Sequence, residues 1–356
     1  MSAPSRSQIL ESWLSRGGKV AAVFPIHYSR ALLRSCGFLP IEVWGPPGAG
    51  TFGAEAHLQT YACDIVRRGL DFLLSGGLER CHCLLVPHGC DALQGLGSVL
   101  MDFIQPKLPV VTFYPARRRD HLALEFCAAE LHQLQQRLSA LSGRTPNAEE
   151  LQRAIEAEQQ ADELLERLMR ERSRLDFSNL DFYRLCRYRG YLPAEDFCAL
   201  AQEALSRRRE EKAGPKVVLS GIVPEPMEIL SALDELGVEI AADDTCLLGR
   251  RLYPPAADAD PWRREARRLL SGPPDSTRGD SLQQRGEHLV SLARNSGARA
   301  VIFLQPPFCE PELFYLPQLR RRLEENGINS LALEHEIVPQ FSAGARTRLE
   351  AFLETL

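Results

Sequence analysis

The sequence predicts an α/β protein with two open, mostly parallel sheets joined by an α-helical connector. Short apolar runs typical of strands alternate with stretches of helical apolar spacing over residues 19–113, and the alternation returns over residues 216–336. Between these regions, apolar residues recur at steps of three and four. A chain of 356 residues also exceeds what a single core usually fills, so two domains and a connecting element are expected.

The first half contains four runs typical of buried strands. They are KVAAVF (19–24), PIEVWG (40–45), CHCLLVP (81–87) and LPVVTF (108–113). Stretches with helical apolar spacing, such as residues 57–74, separate them. We therefore expect residues 1–117 to form a Rossmann-like domain with an open parallel sheet.

The middle of the chain is predicted to be helical. From Asp120 an apolar stripe runs along one long helix, which Gly143 is expected to end. Thr145 followed by Pro146 predicts the start of a second helix that runs to about residue 174. Two shorter helices are expected near residues 180–190 and 195–208. Residues 118–213 are thus predicted to form a helical hairpin and connector.

The last third repeats the architecture of the first. Its predicted strands are KVVLSG (216–221), VEIAADD (238–244), ARAVIFLQ (298–305) and INSLALEHE (328–336), with helices near 225–236, 262–271, 281–296 and 312–325. Residues 214–356 are therefore expected to form a second Rossmann-like domain.

Composition excludes several functional classes. Lys and Arg number 42 against 47 Asp and Glu, a net charge of -5, and no large basic stretch is present, so nucleic-acid binding is not expected. No apolar run approaches the ~18 residues of a membrane-spanning helix, and the N-terminal stretch lacks a secretory-signal pattern. We expect a cytoplasmic protein, in which the ten cysteines would be metal ligands or core residues rather than disulfides.

Three cysteines stand out as candidate metal ligands. Cys90 and Cys309 follow strand-like runs directly, and Cys63 lies in TYACDIVRR, within the stretch of helical spacing at residues 57–74. Ligands in open α/β sheets collect beyond the carboxyl ends of the strands, where helix N-termini favour anionic groups such as thiolates. Cys90 lies 27 residues after Cys63, and Cys309 lies 219 residues further on, so any shared site must join two domains. The pattern alone leaves a second interpretation open, because free cysteine is also a common core residue.

The other cysteines give weaker indications. Cys246 follows a predicted strand and is either a further ligand or a structural residue near the site. Cys81 and Cys83 flank His82, but in a strand the two sulfurs lie on the face opposite the imidazole, so core burial is expected rather than a zinc site. Helical packing is expected for the remaining four cysteines, Cys36, Cys127, Cys186 and Cys198.

Four stretches, taken in order, resemble the 2-hydroxyacyl-CoA dehydratase and benzoyl-CoA reductase family, whose founding example is the D-component of 2-hydroxyglutaryl-CoA dehydratase. They are TYACDIVRRGLDFLLSGGLERCHCLLVPHGCD, EFCAAELHQLQQRLSALSGRTPNAEELQRAIE, SGIVPEPMEILSALDELGVEIAADDTCLLGRR, and FLQPPFCEPELFYLPQLRRRLEENGINSLALEHE together with the terminal ARTRLEAFLETL. The resemblance covers essentially the whole chain, and the shared order of the stretches makes it specific.

The resemblance implies a cofactor and its ligands. Three cysteines, carried over as Cys63, Cys90 and Cys309, would bind one [4Fe-4S] cluster whose fourth iron is left to substrate or to a non-protein ligand. An iron without a protein ligand can act as a Lewis acid on a thioester carbonyl or hydroxyl. No residue of this chain is singled out as catalytic.

The resemblance also implies an activity and partners. The chain would be one subunit of a heterodimer with a related second subunit, and an ATP-hydrolysing iron-sulfur activator protein would supply single electrons. The substrate would be a CoA thioester, and a ketyl radical anion would permit its dehydration. In the reductase branch, the same electrons would reduce an aromatic CoA thioester, and the motifs do not separate the two branches.

Two alternatives of other classes remain. A homodimeric double-cubane reductase of small molecules would need about six cysteine ligands, whereas three are well placed here. A cluster-free scaffold is disfavoured because all three ligand positions hold cysteine.

This chain departs from the family pattern in two loops. After the first strand, the family usually has a Pro-Glu-Glu motif ahead of an Ala-Gly pair, but this chain has Ser29, Arg30 and Ala31, followed by Ser35, Cys36 and Gly37. Substrate-binding roles are therefore not transferred to this loop. The segment SGPPDST (271–277) lacks a further cysteine that many relatives carry.

His88, in PHGCD, either donates a hydrogen bond at the cluster or is a solvated loop residue.

Overall fold

The computed structural model describes residues 4–46, 48–210, 214–338 and 340–356. It contains eight strands: β1 (Lys19–Val23), β2 (Phe38–Glu42), β3 (Cys83–Pro87), β4 (Val110–Phe113), β5 (Lys216–Gly221), β6 (Glu239–Thr245), β7 (Ala300–Gln305) and β8 (Asn329–Glu334). The helices are α1 (Arg6–Ser15), α2 (Arg30–Ser35), α3 (Phe52–Glu55), α4 (Asp64–Leu74), α5 (Asp91–Ser98), α6 (His121–Ser142), α7 (Ala148–Arg170), α8 (Asn179–Arg187), α9 (Ala194–Ser206), α10 (Glu228–Glu235), α11 (Pro261–Leu270), α12 (Leu282–Ser296), α13 (Glu310–Glu324) and α14 (Ala343–Leu353).

The strands form two sheets of four strands each. The first has the order β2-β1-β3-β4 and the second the order β6-β5-β7-β8, and every pair is parallel. Each order places the first two strands side by side and adds the later ones on the other edge, as in doubly wound α/β folds. The predicted fold class, two open parallel sheets with a helical region between them in sequence, is confirmed.

Both sheets are buried by the helices that cross over between their strands. The central strands β1 and β3 are buried almost throughout, and β7 is buried at every position. This explains why their sequences are continuous apolar runs rather than alternating ones. One apolar core extends from Val20 and Leu84 in the first sheet through Leu165 on α7 to Leu219 and Ile302 in the second. The two halves are therefore held together by shared packing.

The helical middle region packs on both halves of the protein. α6 lies against β4 and α11, whereas α7 lies against α2 and α9, and α2 and α11 each contact both long helices. The boundaries at residues 117 and 213 stay predictions, and residues 211–213 lie outside the described residues.

Two predicted helix starts are wrong. The helix predicted from residue 57 begins instead at Asp64, after the short α3 and a turn, because Cys63 occupies the N-cap of α4. The second long helix does not start at Thr145 and Pro146 but at Ala148. Asn147 caps it by accepting a hydrogen bond from the Glu150 backbone N–H, and the Glu150 side chain completes a capping box. The predicted end of α6 at Gly143 is confirmed, with φ at 75°.

Among the described residues, no helix is long and apolar enough to cross a membrane.

Candidate metal centre

The three candidate ligands share one local position, because each is the N-cap residue of a helix. Cys63 caps α4, Cys90 caps α5 and Cys309 caps α13. Cys90 comes three residues after the end of β3, and Cys309 comes four residues after the end of β7. Free backbone N–H groups and the helix dipole make such positions favourable for negative charge. Three helices therefore each present a cysteine sulfur at the N-terminus.

The structure brings these three cysteines together at one cavity between the two sheets. The cavity has a volume of about 50 Å³, and its walls are mainly apolar. Residues of both halves line it: Pro25, Ile26, Trp44, Cys63, Ile65, Val66, Gly89, Cys90 and Leu93 from the first, and Ile222, Cys246, Thr277 and Cys309 from the second. The site thus exists only where the carboxyl ends of the two sheets face each other.

The thiols of Cys63 and Cys309 are hydrogen-bonded to each other. This bond lowers the pKa of Cys63 against the opposing effect of burial, with further help from the backbone N–H groups of Ile65 and Val66. The same bond, together with burial, raises the pKa of the Cys309 thiol. Burial raises the pKa of Cys90 to about 12. Of the three thiols, Cys63 is thus the one whose pKa lies below its ordinary value.

The donor set, three cysteines, is of the type that binds iron-sulfur clusters. Within the described residues, no group of three His, Cys, Asp or Glu side chains is arranged to hold one metal ion. A multi-iron cluster has a different requirement, because each thiolate binds a separate iron and the sulfurs surround the group rather than meet at a point. Three cysteine sulfurs around an apolar cavity match that chemistry.

Cys246 lines the same cavity but lies in a different environment. It is fully buried, and the Nη1 of Arg250 donates to its Sγ over 3.5 Å. The carboxylate of Asp275 is 3.9 Å from the sulfur. Burial, and then the negative charge of Asp275, raise the pKa of the Cys246 thiol well above its usual value. The protonated thiol is therefore the favoured form.

A buried ionic network supports the second half of the cavity wall, and sequence reasoning missed it. Arg250 is completely buried and donates two hydrogen bonds to Glu312, of 2.6 and 2.9 Å. Arg285 donates two hydrogen bonds to Asp244, of 2.8 and 2.6 Å. Glu312 lies in the first turn of α13, so the Arg250 pair fixes the helix that Cys309 caps. The partners come from separate segments, and no local motif announces them.

The loop after β1 contributes a buried imidazole beside the cavity. His27 Nε2 lies 3.2 Å from both the Thr277 hydroxyl and the Asp275 carboxylate. Burial lowers the pKa of His27, although Asp275 opposes the effect. Residues 271–277 thus supply the Thr277 hydroxyl to the cavity wall and the Asp275 carboxylate behind it.

His88 and the Cys81-His82-Cys83 motif do not line the cavity. His88 packs edge-on against Tyr114, with ring centroids 4.3 Å apart, and lines a separate surface groove. Cys81, His82 and Cys83 are spaced like zinc ligands, but Cys83 and His82 have structural roles instead. Cys83 is fully buried in β3, and the Nδ1 of His82 accepts a hydrogen bond from the Val20 backbone.

Comparison with known proteins identifies the family. The family model of the 2-hydroxyglutaryl-CoA dehydratase D-component matches residues 25–356, a range that contains every residue lining the cavity. The chain belongs to this family. The resemblance noted from the sequence is thereby confirmed, and so is the prediction of a subunit of the 2-hydroxyacyl-CoA dehydratase or related CoA-thioester reductase type.

Relatives from both branches of the family are similar to this chain over most of their length. A subunit of benzoyl-CoA reductase from Thauera aromatica is 26% identical over 332 residues, which are 89% of this chain and 85% of the relative. The beta subunit of lactoyl-CoA dehydratase of Anaerotignum propionicum is 23% identical over 366 residues, 99% and 96% of the two chains. The beta subunit of (R)-2-hydroxyglutaryl-CoA dehydratase of Acidaminococcus fermentans is 25% identical over 371 residues, again 99% and 96%.

A solved structure, the periplasmic zinc-binding protein TroA of Treponema pallidum, aligns with 94% of this chain and 97% of its own. Its TM-score of 0.27 and 13% identity are too low to support a conclusion.

Proposed function

We propose that this chain is the cluster-binding subunit of an enzyme that dehydrates a 2-hydroxyacyl-CoA thioester by radical chemistry. One [4Fe-4S] cluster would be bound by Cys63, Cys90 and Cys309. The observation that carries the proposal is the convergence of three helix-capping cysteines from two sheets on one apolar cavity. When bound, the cluster would supply one-electron transfer and an iron that no protein side chain ligates.

The residues of this chain would bind and shield the group. The N-termini of α4, α5 and α13 favour the negative charge of the three thiolates. Trp44, Ile26 and Ile222 give the cavity apolar walls that exclude water. A low local dielectric strengthens the interaction between these helix ends and a charged group. Arg250 would hold α13, and with it Cys309, through Glu312.

Cys246 is proposed as a neighbour of the cluster rather than a ligand. Its sulfur already accepts a hydrogen bond from Arg250 and lies 3.9 Å from the Asp275 carboxylate. Unlike the three proposed ligands, Cys246 is not the N-cap residue of a helix.

Partners complete the proposed enzyme. Three relatives are named as beta subunits, which supports a related second subunit in a heterodimer. An ATP-hydrolysing iron-sulfur activator protein would deliver the electrons, and a CoA thioester would be the substrate. The cytoplasmic location expected from the sequence stays a prediction.

A second candidate function is reduction of an aromatic CoA thioester. The similarity to the benzoyl-CoA reductase relative, at 26% identity, favours it as much as the dehydratase relatives favour dehydration. A double-cubane reductase is less well supported. The cavity is lined by four cysteines, Cys63, Cys90, Cys246 and Cys309, whereas about six would be needed.

The test is anaerobic purification followed by iron and sulfide analysis and visible spectroscopy. We expect about four irons per chain, and Cys90→Ala should abolish the brown absorbance near 400 nm, roughly where thiolate-bound clusters absorb. Cys83→Ala is the matched control, because Cys83 is buried in β3 away from the cavity, and it should keep the absorbance. Equal retention in both variants would refute the ligand assignment, and about eight irons would favour the double cubane.

Activity separates the two branches. The chain, reconstituted with its partner subunit and activator, should dehydrate a 2-hydroxyacyl-CoA. Turnover of benzoyl-CoA, without dehydration of any 2-hydroxyacyl-CoA, would instead establish the reductase function.

A further inference from the structure

A basic groove lies at the opposite end of β1 from the cysteine cavity. Its volume is about 540 Å³, and four separate segments form it: the end of α1, the start of β1, the turn after α2 and the turn after α6. The groove is lined by four basic side chains, those of Arg16, Lys19, Arg34 and Arg144. No carboxylate is among the residues that line it. The whole chain has a net charge of -5, so this concentration of positive charge is local.

Two of these cations have no carboxylate partner. In the described ranges, no Asp or Glu lies within ion-pair distance of Lys19, whose Nζ donates to the Leu141 carbonyl over 2.6 Å. Arg16 likewise makes its hydrogen bonds to Ser12. Both charges are therefore available to an anion.

The other two cations are only partly satisfied by carboxylates outside the groove. Arg34 pairs with Glu195 through one nitrogen, at 2.9 Å, while its Nη1 is buried without a hydrogen bond, 4.0 Å from Glu158. Arg144 pairs with Glu150 through its Nη2, at 2.9 Å. The groove thus keeps donors that a bound anion could satisfy.

An aromatic ring is fixed in the same groove. The Nε1 of Trp13 donates to the Lys19 carbonyl over 2.8 Å, which sets the orientation of the indole. The guanidinium groups of Arg16 and Arg34 lie 5.9 and 5.7 Å from the ring centroid. Gly18 permits this arrangement, because a β-carbon there would be 2.3 Å from the indole nitrogen. The ring is held in place rather than free to collapse into the core.

We propose that this groove binds the nucleoside diphosphate portion of a ligand. Cations from several segments match a diphosphate, whose charges are spread along its length, better than a single carboxylate. The indole and the guanidinium groups near it offer flat groups on which an aromatic base can stack. A free nucleotide such as ADP and the adenosine end of CoA share this chemistry.

The groove is independent of the cysteine cavity. Lys19 begins β1, whereas Pro25 and Ile26, in the loop after its other end, line the cavity. Ligand binding in the groove therefore does not require a bound cluster, and it can be measured whether or not the cluster proposal is correct.

The first test is titration of the full chain with ADP, followed by calorimetry and tryptophan fluorescence. Binding should saturate below about 1 mM and weaken as salt is added, because the interaction is ionic. The chain has three tryptophans. Stacking of the base should quench the emission of Trp13, so the quenching should vanish in Trp13→Phe and persist in Trp262→Phe. Absence of saturable binding to the wild type would overturn the proposal.

The second test compares basic residues inside and outside the groove. Lys19→Gln and Arg144→Gln should each raise the ADP dissociation constant about tenfold, the usual effect of losing one charge-assisted hydrogen bond. Arg153→Gln, an exposed position on α7 outside the groove, is the matched control and should bind ADP like the wild type. Equal affinity of all three variants, with unchanged circular dichroism, would overturn the assignment.

Competition then identifies the source of the diphosphate. If CoA displaces ADP, and Arg144→Gln weakens both ligands, the groove binds the adenosine end of CoA. If CoA fails to displace ADP, the ligand is a free nucleotide. Pyrophosphate that binds as tightly as ADP would overturn the role of Trp13.

Discussion

Glu42 on β2 and Arg251, which follows β6, form a buried ion pair that joins the two halves of the protein. Two hydrogen bonds connect the guanidinium to the carboxylate, one of them 2.9 Å long. The Tyr28 hydroxyl donates a further hydrogen bond of 2.6 Å to Glu42. Burial alone would raise the pKa of Glu42, but Arg251, with Arg30, lowers it well below the usual value. The carboxylate is therefore charged, and the ion pair connects β2 of the first sheet with the segment that follows β6 of the second.

Loss of this charge should destabilise the fold. Glu42→Gln removes one partner of a buried pair and leaves Arg251 uncompensated, so the free energy of unfolding should fall by about 3–5 kcal/mol. Urea denaturation measures the change. Glu166→Gln, at an exposed position on α7, is the control and should change stability by less than about 0.5 kcal/mol. Similar values for the two variants would contradict the role of Glu42.

Acid should destabilise the protein through Glu158. Burial would raise the pKa of this carboxyl, but Arg189, at 2.6 Å, and Arg30 lower it to about 2 from an ordinary value of 4.5. Since the pKa is lower in the folded state, the contribution of Glu158 is complete above about pH 4.5 and is lost as the pH falls toward 2.

The melting temperature of Glu158→Gln, measured over the same pH range, tests this assignment. The variant should be less stable at neutral pH and should lose less stability on acidification than the wild type. If the melting temperatures of the two proteins fell equally as the pH was lowered, Glu158 would not titrate in this pH range.

Cys246 should be dispensable for iron binding. Cys246→Ala removes a thiol that caps no helix and that Arg250 and Asp275 already contact, so the iron content per chain should stay at the wild-type value. Cys309→Ala should lose it, because Cys309 caps α13 at the cavity and contacts Cys63. A loss of iron as large in Cys246→Ala as in Cys309→Ala would make Cys246 a fourth ligand.

Gly221, at the end of β5, should not tolerate a side chain. Its φ is 129°, and a β-carbon would lie 1.9 Å from the Leu304 carbonyl oxygen. Gly221→Ala should therefore cost at least about 1–3 kcal/mol in backbone strain. It should also displace Ile222, which lines the cavity. Thermal unfolding measures the change.

Gly95 provides the matched control. It is exposed within α5, and a β-carbon would meet no atom within 4 Å. Gly95→Ala should raise stability by about 1 kcal/mol, because alanine has the higher helix propensity. A stable Gly221→Ala variant would contradict the close approach of β5 and β7.

The sheets and the places of Cys90 and Cys309 could be predicted from the sequence because their signals are local. Continuous apolar runs indicate β3 and β7, and a cysteine follows shortly after each of them. The position of Cys63 at the start of α4 could not be predicted in this way, because it lies within a continuous periodic pattern. The buried network of Arg250 and Glu312 could not be predicted, since the residues are 62 positions apart and charged side chains are normally exposed.

The positions of the loop residues around the cavity could not be predicted from the sequence either. His88 is close to Cys90 in the chain, yet it packs on Tyr114 outside the cavity. Thr277 and Trp44 line the cavity, although neither residue type suggests a site on its own. The start of α4 was predicted too early because periodic apolar residues continued through the turn before Cys63, and periodicity does not register a turn.

The cavity needs wall residues from both ends of the polypeptide. During synthesis, Cys63 and Cys90 leave the ribosome more than 200 residues before Cys309 does. A nascent chain therefore presents only two of the three sulfurs, without the wall that Ile222 and Thr277 provide. An iron-sulfur group bound as proposed would therefore meet all three sulfurs only after Cys309 has been synthesised and the second sheet has packed against the first.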